Sequence, residues 1–246
     1  MEAQDLIIGA IGVGLGGFLK GATGAGAPVV GVPILAMVFG VQNAVAIFAV
    51  MNLVSNIWQT WAYRAHIANM RFVWSHALAG AFGAFLGTFL LAWLSTEVLL
   101  SAISGIVFVY VGVRLLRPDW KLERERGYRL AAPAGLAGGL IQGAGGISAP
   151  VSVTYLNAMR LDRPEFVATI AVFFLMMAST QVPTLISLGI LDWRNAGLGL
   201  LATIPLFSAI PLGAYAARRI SKEAFDRLIL ILLMALALRL AYIALS

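Results

Sequence analysis

The stretch Gly21-Ala22-Thr23-Gly24-Ala25-Gly26-Ala27-Pro28 interrupts a long apolar segment that covers residues 6–40. A second apolar segment, residues 131–159, is interrupted in the same way by Gly143-Ala144-Gly145-Gly146-Ile147-Ser148-Ala149-Pro150. Clustered glycines disfavour a helix because they lose the most backbone entropy on folding, and a proline inside a helix removes a hydrogen-bond donor. Each segment is therefore expected to form two shorter helices joined by a break.

The two breaks belong to an internal repeat. A shift of 122 residues aligns residues 16–29 with 138–151, and eight of these 14 aligned positions are identical. A shift of 126 residues aligns Gly87 with Gly213, and two further identities follow in the same order. Such self-similarity predicts a duplicated chain. The expected units are repeat 1 over 1–117, a charged cytoplasmic linker over 118–130 and repeat 2 over 131–246, integrated in one membrane domain.

The composition indicates a membrane protein. Hydrophobic residues make up 61% of the 246 residues and charged residues only 11%, whereas soluble domains carry about 25% charged residues. This balance excludes a soluble enzyme, a disordered protein and a nucleic-acid-binding protein. The acidic start of the chain predicts an uncleaved N-terminus, since signal peptides begin with basic residues. Beside the two broken segments, six runs are long enough to cross a bilayer: 42–62, 73–94, 97–116, 166–188, 195–217 and 224–245.

The distribution of basic residues favours one topology. If all eight apolar segments crossed the membrane, Lys and Arg would be divided between its two sides. If each broken segment instead enters the membrane and returns to the same side, all Lys and Arg residues except Lys20, Arg194 and Arg239 lie on one side. Because Lys and Arg concentrate on the cytoplasmic side, the second arrangement is favoured, although a crossing first arm remains an alternative. It predicts an all-α polytopic protein with two inverted repeats, each of three transmembrane helices plus a broken, re-entrant helical element.

The breaks are candidates for a substrate site. Backbone at membrane depth is left non-helical only where it is buried in protein or lines a polar cavity, and paired broken helices mark transport sites. The N-terminal ends of the half-helices would attract an anion. Lys20 adds a positive charge at the first break, although its side chain could instead extend to the membrane surface. Close helix packing is the alternative role of such glycines, and it suits Gly83, Gly87, Gly135 and Gly139 better.

Neutral polar residues on the following helices complete the expected site. Asn52, Asn56 and Gln59 are spaced by four and three residues and share one helix face, and Gln181 matches Gln59 across the repeat. We expect both breaks to meet near the membrane midplane and to form one anion site. The candidate substrate-binding residues are Lys20, Gly21, Thr23, Gly24, Gly26, Asn52, Asn56, Gln59, Gln142, Gly143, Gly145, Gly146, Ser148 and Gln181.

No catalytic or metal-binding pattern is present. All acidic residues fall in predicted loops or at predicted helix ends, and the sequence has no cysteine, no HExxH motif and no phosphate-binding loop. His66 and His76 are isolated and are expected near the cytoplasmic interface. The sequence therefore predicts a non-enzyme without a cofactor or a bound metal.

The glycine motifs 16–28 and 138–150 resemble the TauE/SafE sulfite exporter family (TSUP), and the resemblance extends over nearly the whole chain. It implies a bacterial-type, multi-pass inner-membrane transporter for sulfite, sulfoacetate or related organosulfonates. The expected function is therefore a secondary transporter or facilitator, acting as an exporter of small sulfur-containing oxyanions. Two alternatives remain open: a membrane scaffold subunit that transports nothing, and a transporter of a different small organic anion.

Overall fold

A computed structural model describes residues 3–116 and 121–217, together with residues 219, 231, 234, 235, 238, 241 and 242. The two continuous ranges are almost entirely helical, and a 3₁₀ helix at Arg64–His66 extends the third helix. The helices in these ranges are α1 (Ala3–Thr23), α2 (Ala27–Phe39), α3 (Val41–Tyr63), α4 (Met70–Trp93), α5 (Thr96–Leu116), α6 (Arg124–Arg129), α7 (Ala131–Gly145), α8 (Ala149–Ala158), α9 (Arg163–Ser187) and α10 (Trp193–Ala216).

Six of these helices, namely α1, α3, α4, α5, α9 and α10, are long and apolar enough to cross a membrane. The expected all-α, multi-pass membrane protein is thus confirmed. Five of the six predicted runs correspond to α3, α4, α5, α9 and α10, whereas most of the sixth, 224–245, lies outside the described residues. About 67% of the most apolar window is buried in both α3 and α9, the largest share among the six. The core of the described fold therefore lies along α3 and α9.

The first broken segment forms a helical hairpin. Gly24 adopts φ of +87°, a left-handed conformation that glycine reaches without steric cost, and this residue reverses the chain after α1. α2 then runs back along α1, because Gly9 lies against Phe39 and Gly16 lies against Ala27. The beginning of α1 and the end of α2 therefore lie at the same end of the hairpin.

The second broken segment has the same form. Gly146 adopts φ of +73° and ends α7 as a left-handed cap. α8 returns along α7, since Gly138 faces Ser152 and the Tyr155 hydroxyl donates to the carbonyl of Gly127, which precedes α7. Both broken segments are thus antiparallel helix pairs.

Each hairpin packs against a helix of the other half of the chain. A Cβ atom at Gly17 of α1 would overlap the carbonyl of Leu206 in α10, and one at Gly139 of α7 would overlap the carbonyl of Gly80 in α4. Positions 17 and 139 differ by 122, and positions 80 and 206 differ by 126, which are the offsets of the sequence repeat. The packing contacts are thus duplicated together with the sequence, and the two halves interlock.

Candidate functional site

A buried polar cluster joins the end of α1 to the middle of α3. The ammonium group of Lys20, whose residue is only 4% exposed, donates to the Ser55 hydroxyl and to the Asn56 side-chain oxygen, both over 3.0 Å. The Gln59 amide donates to the Gly24 carbonyl over 3.1 Å and so ties the first break to α3. We call Lys20, Asn52, Ser55, Asn56 and Gln59 the Lys20 cluster.

The charge of Lys20 orients the two asparagine amides. Only the oxygen of Asn56 can face an ammonium group, so its nitrogen turns away and donates to the Asn52 side-chain oxygen over 2.6 Å. The Asn52 nitrogen is consequently directed elsewhere, and it is buried without a hydrogen-bond partner. An ammonium group also has three donors, of which two are used here. The cluster thus retains unused hydrogen-bond donors.

Lys20 is the only Lys, Arg, Asp or Glu that is buried among the described residues, and none of the described carboxylates forms an ion pair with it. The other members of its cluster are neutral amides and a hydroxyl. Transferring an unpaired charge from water to the protein interior is unfavourable. The cluster can therefore be stabilised by an anion that supplies the missing negative charge.

A second cation lies beside the first break. The exposed Arg163, at the start of α9, donates to the Gly21 carbonyl over 3.3 Å and to the Ala22 carbonyl over 3.5 Å. Gly24 packs against Val167 in the same part of α9. The N-terminal ends of α2 and α9 thus both lie near this break, and helix N-termini favour negative charge. The contact of Arg163 with α1 was not predicted, because the two positions are more than 140 residues apart in the chain.

The second break carries a neutral polar cluster. Gln142, which matches Lys20 across the repeat, is buried and its side-chain oxygen has no hydrogen-bond partner. The Gln181 amide donates to the Gln142 and Gly143 carbonyls, over 3.4 Å in each case. The Ser152 hydroxyl donates to that of Ser148 over 3.1 Å, and both serines are fully buried. This cluster can form hydrogen bonds with a guest but adds no charge.

The two breaks do not meet, which corrects the expectation of one shared site. The first break contacts Gln59 on α3, whereas Gly146 of the second break contacts Val45, 14 residues earlier on the same helix. On α9, Val167 contacts the first break and Gln181 contacts the second, and these residues are also 14 positions apart. At 1.5 Å per residue, the two contact positions are about 21 Å apart along each helix. The reason is the length of α1, whose 21 residues extend over about 32 Å before the break begins.

Several predicted glycines serve packing. A Cβ atom at Gly21 would overlap the Ile210 carbonyl of α10, and one at Gly143 would overlap the Ala84 carbonyl of α4. These two glycines therefore allow close packing of α1 on α10 and of α7 on α4, and their contact with a substrate stays a prediction. Gly24 and Gly146 form the chain reversals described above. The last two predicted glycines, Gly26 and Gly145, lie against the side chains of Leu19 and Ile103, respectively.

Three polar side chains also differ from expectation. Thr23 donates to the Leu19 carbonyl over 2.8 Å and accepts from the Ala25 amide, so it stabilises the turn. Ser55 was not predicted but belongs to the Lys20 cluster. It could have been identified from its position three residues after Asn52, which places it on the same helix face. His76 was expected at the interface but is fully buried, with its ring centroid 4.2 Å from that of Phe173.

An apolar cavity of about 170 Å³ lies between α1, α2, α3 and α10, lined by residues such as Val13, Phe39, Ile47 and Leu198. These side chains offer no hydrogen bond to an oxyanion. The cavity is therefore not a candidate for the polar substrate considered above.

Comparison with known proteins identifies the family. A family model described as "Sulfite exporter TauE/SafE" matches residues 8–240 of the chain. No curated protein and no solved structure gives a significant match. The matched region includes both breaks, the Lys20 cluster and all of α10. The chain belongs to the TauE/SafE sulfite exporter family, a family of membrane transporters.

Proposed function

We propose that the protein is a secondary transporter that exports a small sulfur-containing oxyanion across the bacterial inner membrane. The substrate class comes from the TauE/SafE family, and the binding site is the Lys20 cluster. The observation that carries the proposal is the buried ammonium group of Lys20, which is hydrogen-bonded only to neutral side chains. A sulfite or sulfonate ion would supply the counter-charge.

The cluster suits an oxyanion chemically. The third donor of the Lys20 ammonium group and the unpartnered Asn52 nitrogen can each approach an S–O oxygen. Hydrogen bonds to an ionised group are about twice as strong as those between neutral groups. The neutral amides and hydroxyl replace part of the hydration shell without adding charge, so the anion can also leave.

The described conformation is closed around this site. Lys20, Asn52, Ser55, Asn56 and Gln59 are all buried, so an anion can enter only after helices separate. The duplicated packing of α1 on α10 and of α7 on α4 supports two inverted repeats that move against each other. In this proposal the break beside Gln59 is the cytoplasmic entrance and the break beside Val45 is the outer exit.

Transport by the purified protein tests the proposal. The parent protein, Lys20→Met and the matched control Lys121→Met would each be placed in sealed liposomes, and the flux of labelled sulfite would be measured. Lys121 is exposed and lies outside the cluster. The parent and Lys121→Met are expected to carry sulfite, and Lys20→Met is expected to lose the flux. If the parent carried no sulfite and no sulfonate, the scaffold alternative would replace this proposal.

A further inference from the structure

We infer that the Lys20 cluster selects monoanions and rejects dianions of the same size. This inference rests on the proposed function, since it concerns the charge of the substrate that the cluster binds. The relevant substrates would be hydrogensulfite and simple sulfonates. Sulfate, sulfite in its doubly charged form and sulfoacetate, which carries two negative charges at neutral pH, would be excluded.

The charge inside the cluster comes from Lys20 alone. Lys20 contributes one positive charge, and its partners Ser55 and Asn56 are neutral. A monoanion would therefore leave the occupied site with no net charge. A dianion would leave one negative charge buried, and an uncompensated buried charge is strongly unfavourable in a medium of low dielectric constant.

No second buried cation is available among the described residues to balance a dianion. α2 carries no charged residue, and the only charged residue of α10, Arg194, lies in its first turn. α3 contains no Lys, Arg, Asp or Glu between Val41 and Tyr63. Among the described residues, Lys20 is thus the only buried positive charge available to a bound anion.

The charged groups at the start of α9 are not buried with Lys20. Arg163 is exposed to solvent, and its guanidinium group donates to the carbonyls of Gly21 and Ala22. Glu165 lies on the same turn, but it pairs with Arg124 over 3.3 Å. Arg163 can therefore attract anions of either charge to the entrance, whereas discrimination occurs at Lys20.

The test compares anions that share an SO₃ face but differ in charge. Fluxes of methanesulfonate, a monoanion, and sulfate, a dianion, would be measured in liposomes that contain the parent protein. Flux in protein-free liposomes would be subtracted to remove leakage through the lipid. We expect methanesulfonate to move at least about tenfold faster than sulfate, a ratio that corresponds to a modest difference in binding free energy.

Measuring sulfite flux over a series of pH values tests the charge preference a second time, with one substrate whose charge changes. As pH rises through neutrality, hydrogensulfite loses its proton and becomes the sulfite dianion. The ratio of sulfite flux to methanesulfonate flux should then fall in proportion to the hydrogensulfite fraction. Taking the ratio removes any effect of pH on the protein itself, because methanesulfonate keeps its charge over this range.

The outcomes separate the inference from the proposed function. Equal fluxes of sulfate and methanesulfonate, or a flux ratio independent of pH, would overturn monoanion selection while leaving the anion transporter intact. If none of the three anions moved through the parent protein, the proposed function would fail, and the inference would fail with it.

Discussion

The Lys20 ammonium group lies 3.0 Å from the side-chain oxygen of Asn56, although no charged residue occurs anywhere in α3. This contact joins the end of α1 to a helix that begins 18 residues after α1 has ended. It places a single positive charge in a neutral, buried environment. A substitution that supplies an internal negative charge at this contact should therefore compete directly with an external anion.

Asn56→Asp provides such a charge with almost no change in size. We expect the new carboxylate to pair with Lys20, to leave the cluster neutral and to abolish sulfite flux in liposomes. The buried ammonium group gains a counter-ion, which offsets the loss of the hydrogen bond that the Asn56 nitrogen donates to Asn52, so the variant should remain folded in detergent. Asn157→Asp, at an exposed position of α8, is the matched control and should transport normally. Undiminished flux through Asn56→Asp would show that the anion does not bind at Lys20.

Arg163 is predicted to hold the first break closed. Arg163→Gln removes two hydrogen bonds to the carbonyls of Gly21 and Ala22. Each such bond contributes about 0.5–1.5 kcal/mol, so opening of this end should become several-fold more frequent. Because the sequence contains no cysteine, Thr23→Cys can report opening through its rate of labelling by a membrane-impermeant maleimide.

The labelling rate at position 23 should rise several-fold when Arg163→Gln is added. Arg124→Gln is the control, since Arg124 is also near the start of α9 but pairs only with Glu165 among the described residues. Equal labelling rates with and without the Arg163→Gln substitution would mean that the guanidinium contact does not restrict this end of the hairpin.

The glycine packing between halves yields a stability prediction. A Cβ atom at Gly17 would overlap the backbone of Leu206, which a side-chain rotation cannot relieve. Overpacking of this kind typically destabilises by about 1–3 kcal/mol, so Gly17→Ala should lower the unfolding temperature. Gly14, on the same helix, meets nothing within 4 Å in the described part of the chain. Gly14→Ala should therefore be neutral or stabilising, since alanine favours helix.

Gly17→Ala and Gly14→Ala change helix propensity in the same way. The difference between their unfolding temperatures in detergent therefore reports the effect of the contact with Leu206. Gly139→Ala, at the repeat-related position of α7, should behave like Gly17→Ala because it meets the Gly80 backbone in the same way. The duplicated packing would be contradicted if Gly17→Ala and Gly14→Ala unfolded at the same temperature.

The long helices and the two breaks are predictable from sequence. Apolar runs of sufficient length correspond to α3, α4, α5, α9 and α10, and the Gly24 and Gly146 reversals lie inside the predicted glycine clusters. These features depend on local properties, namely hydrophobic length, backbone entropy and the missing donor of proline. Lys20 and Asn56 were predicted in one site, but the sequence left open whether Lys20 is buried there or extends to the membrane surface.

The separation of the breaks was not predictable from the same signals. An apolar run indicates that a segment enters the membrane, but the depth of its turn depends on how far α1 extends before Gly24. The contact of Arg163 with Gly21 and the burial of His76 against Phe173 likewise depend on tertiary packing between distant segments. Composition and periodicity contain no information about such pairings.

We propose that Lys20 provides the positive charge that binds the substrate anion. The most direct test of this role is calorimetric titration of methanesulfonate into the purified parent protein and into Lys20→Met, with circular dichroism to confirm that both are folded. A hydrogen bond to a charged group contributes about 1.5–3 kcal/mol, so the variant should bind at least about tenfold more weakly. Equal affinity of the folded parent and the folded Lys20→Met protein would contradict the account.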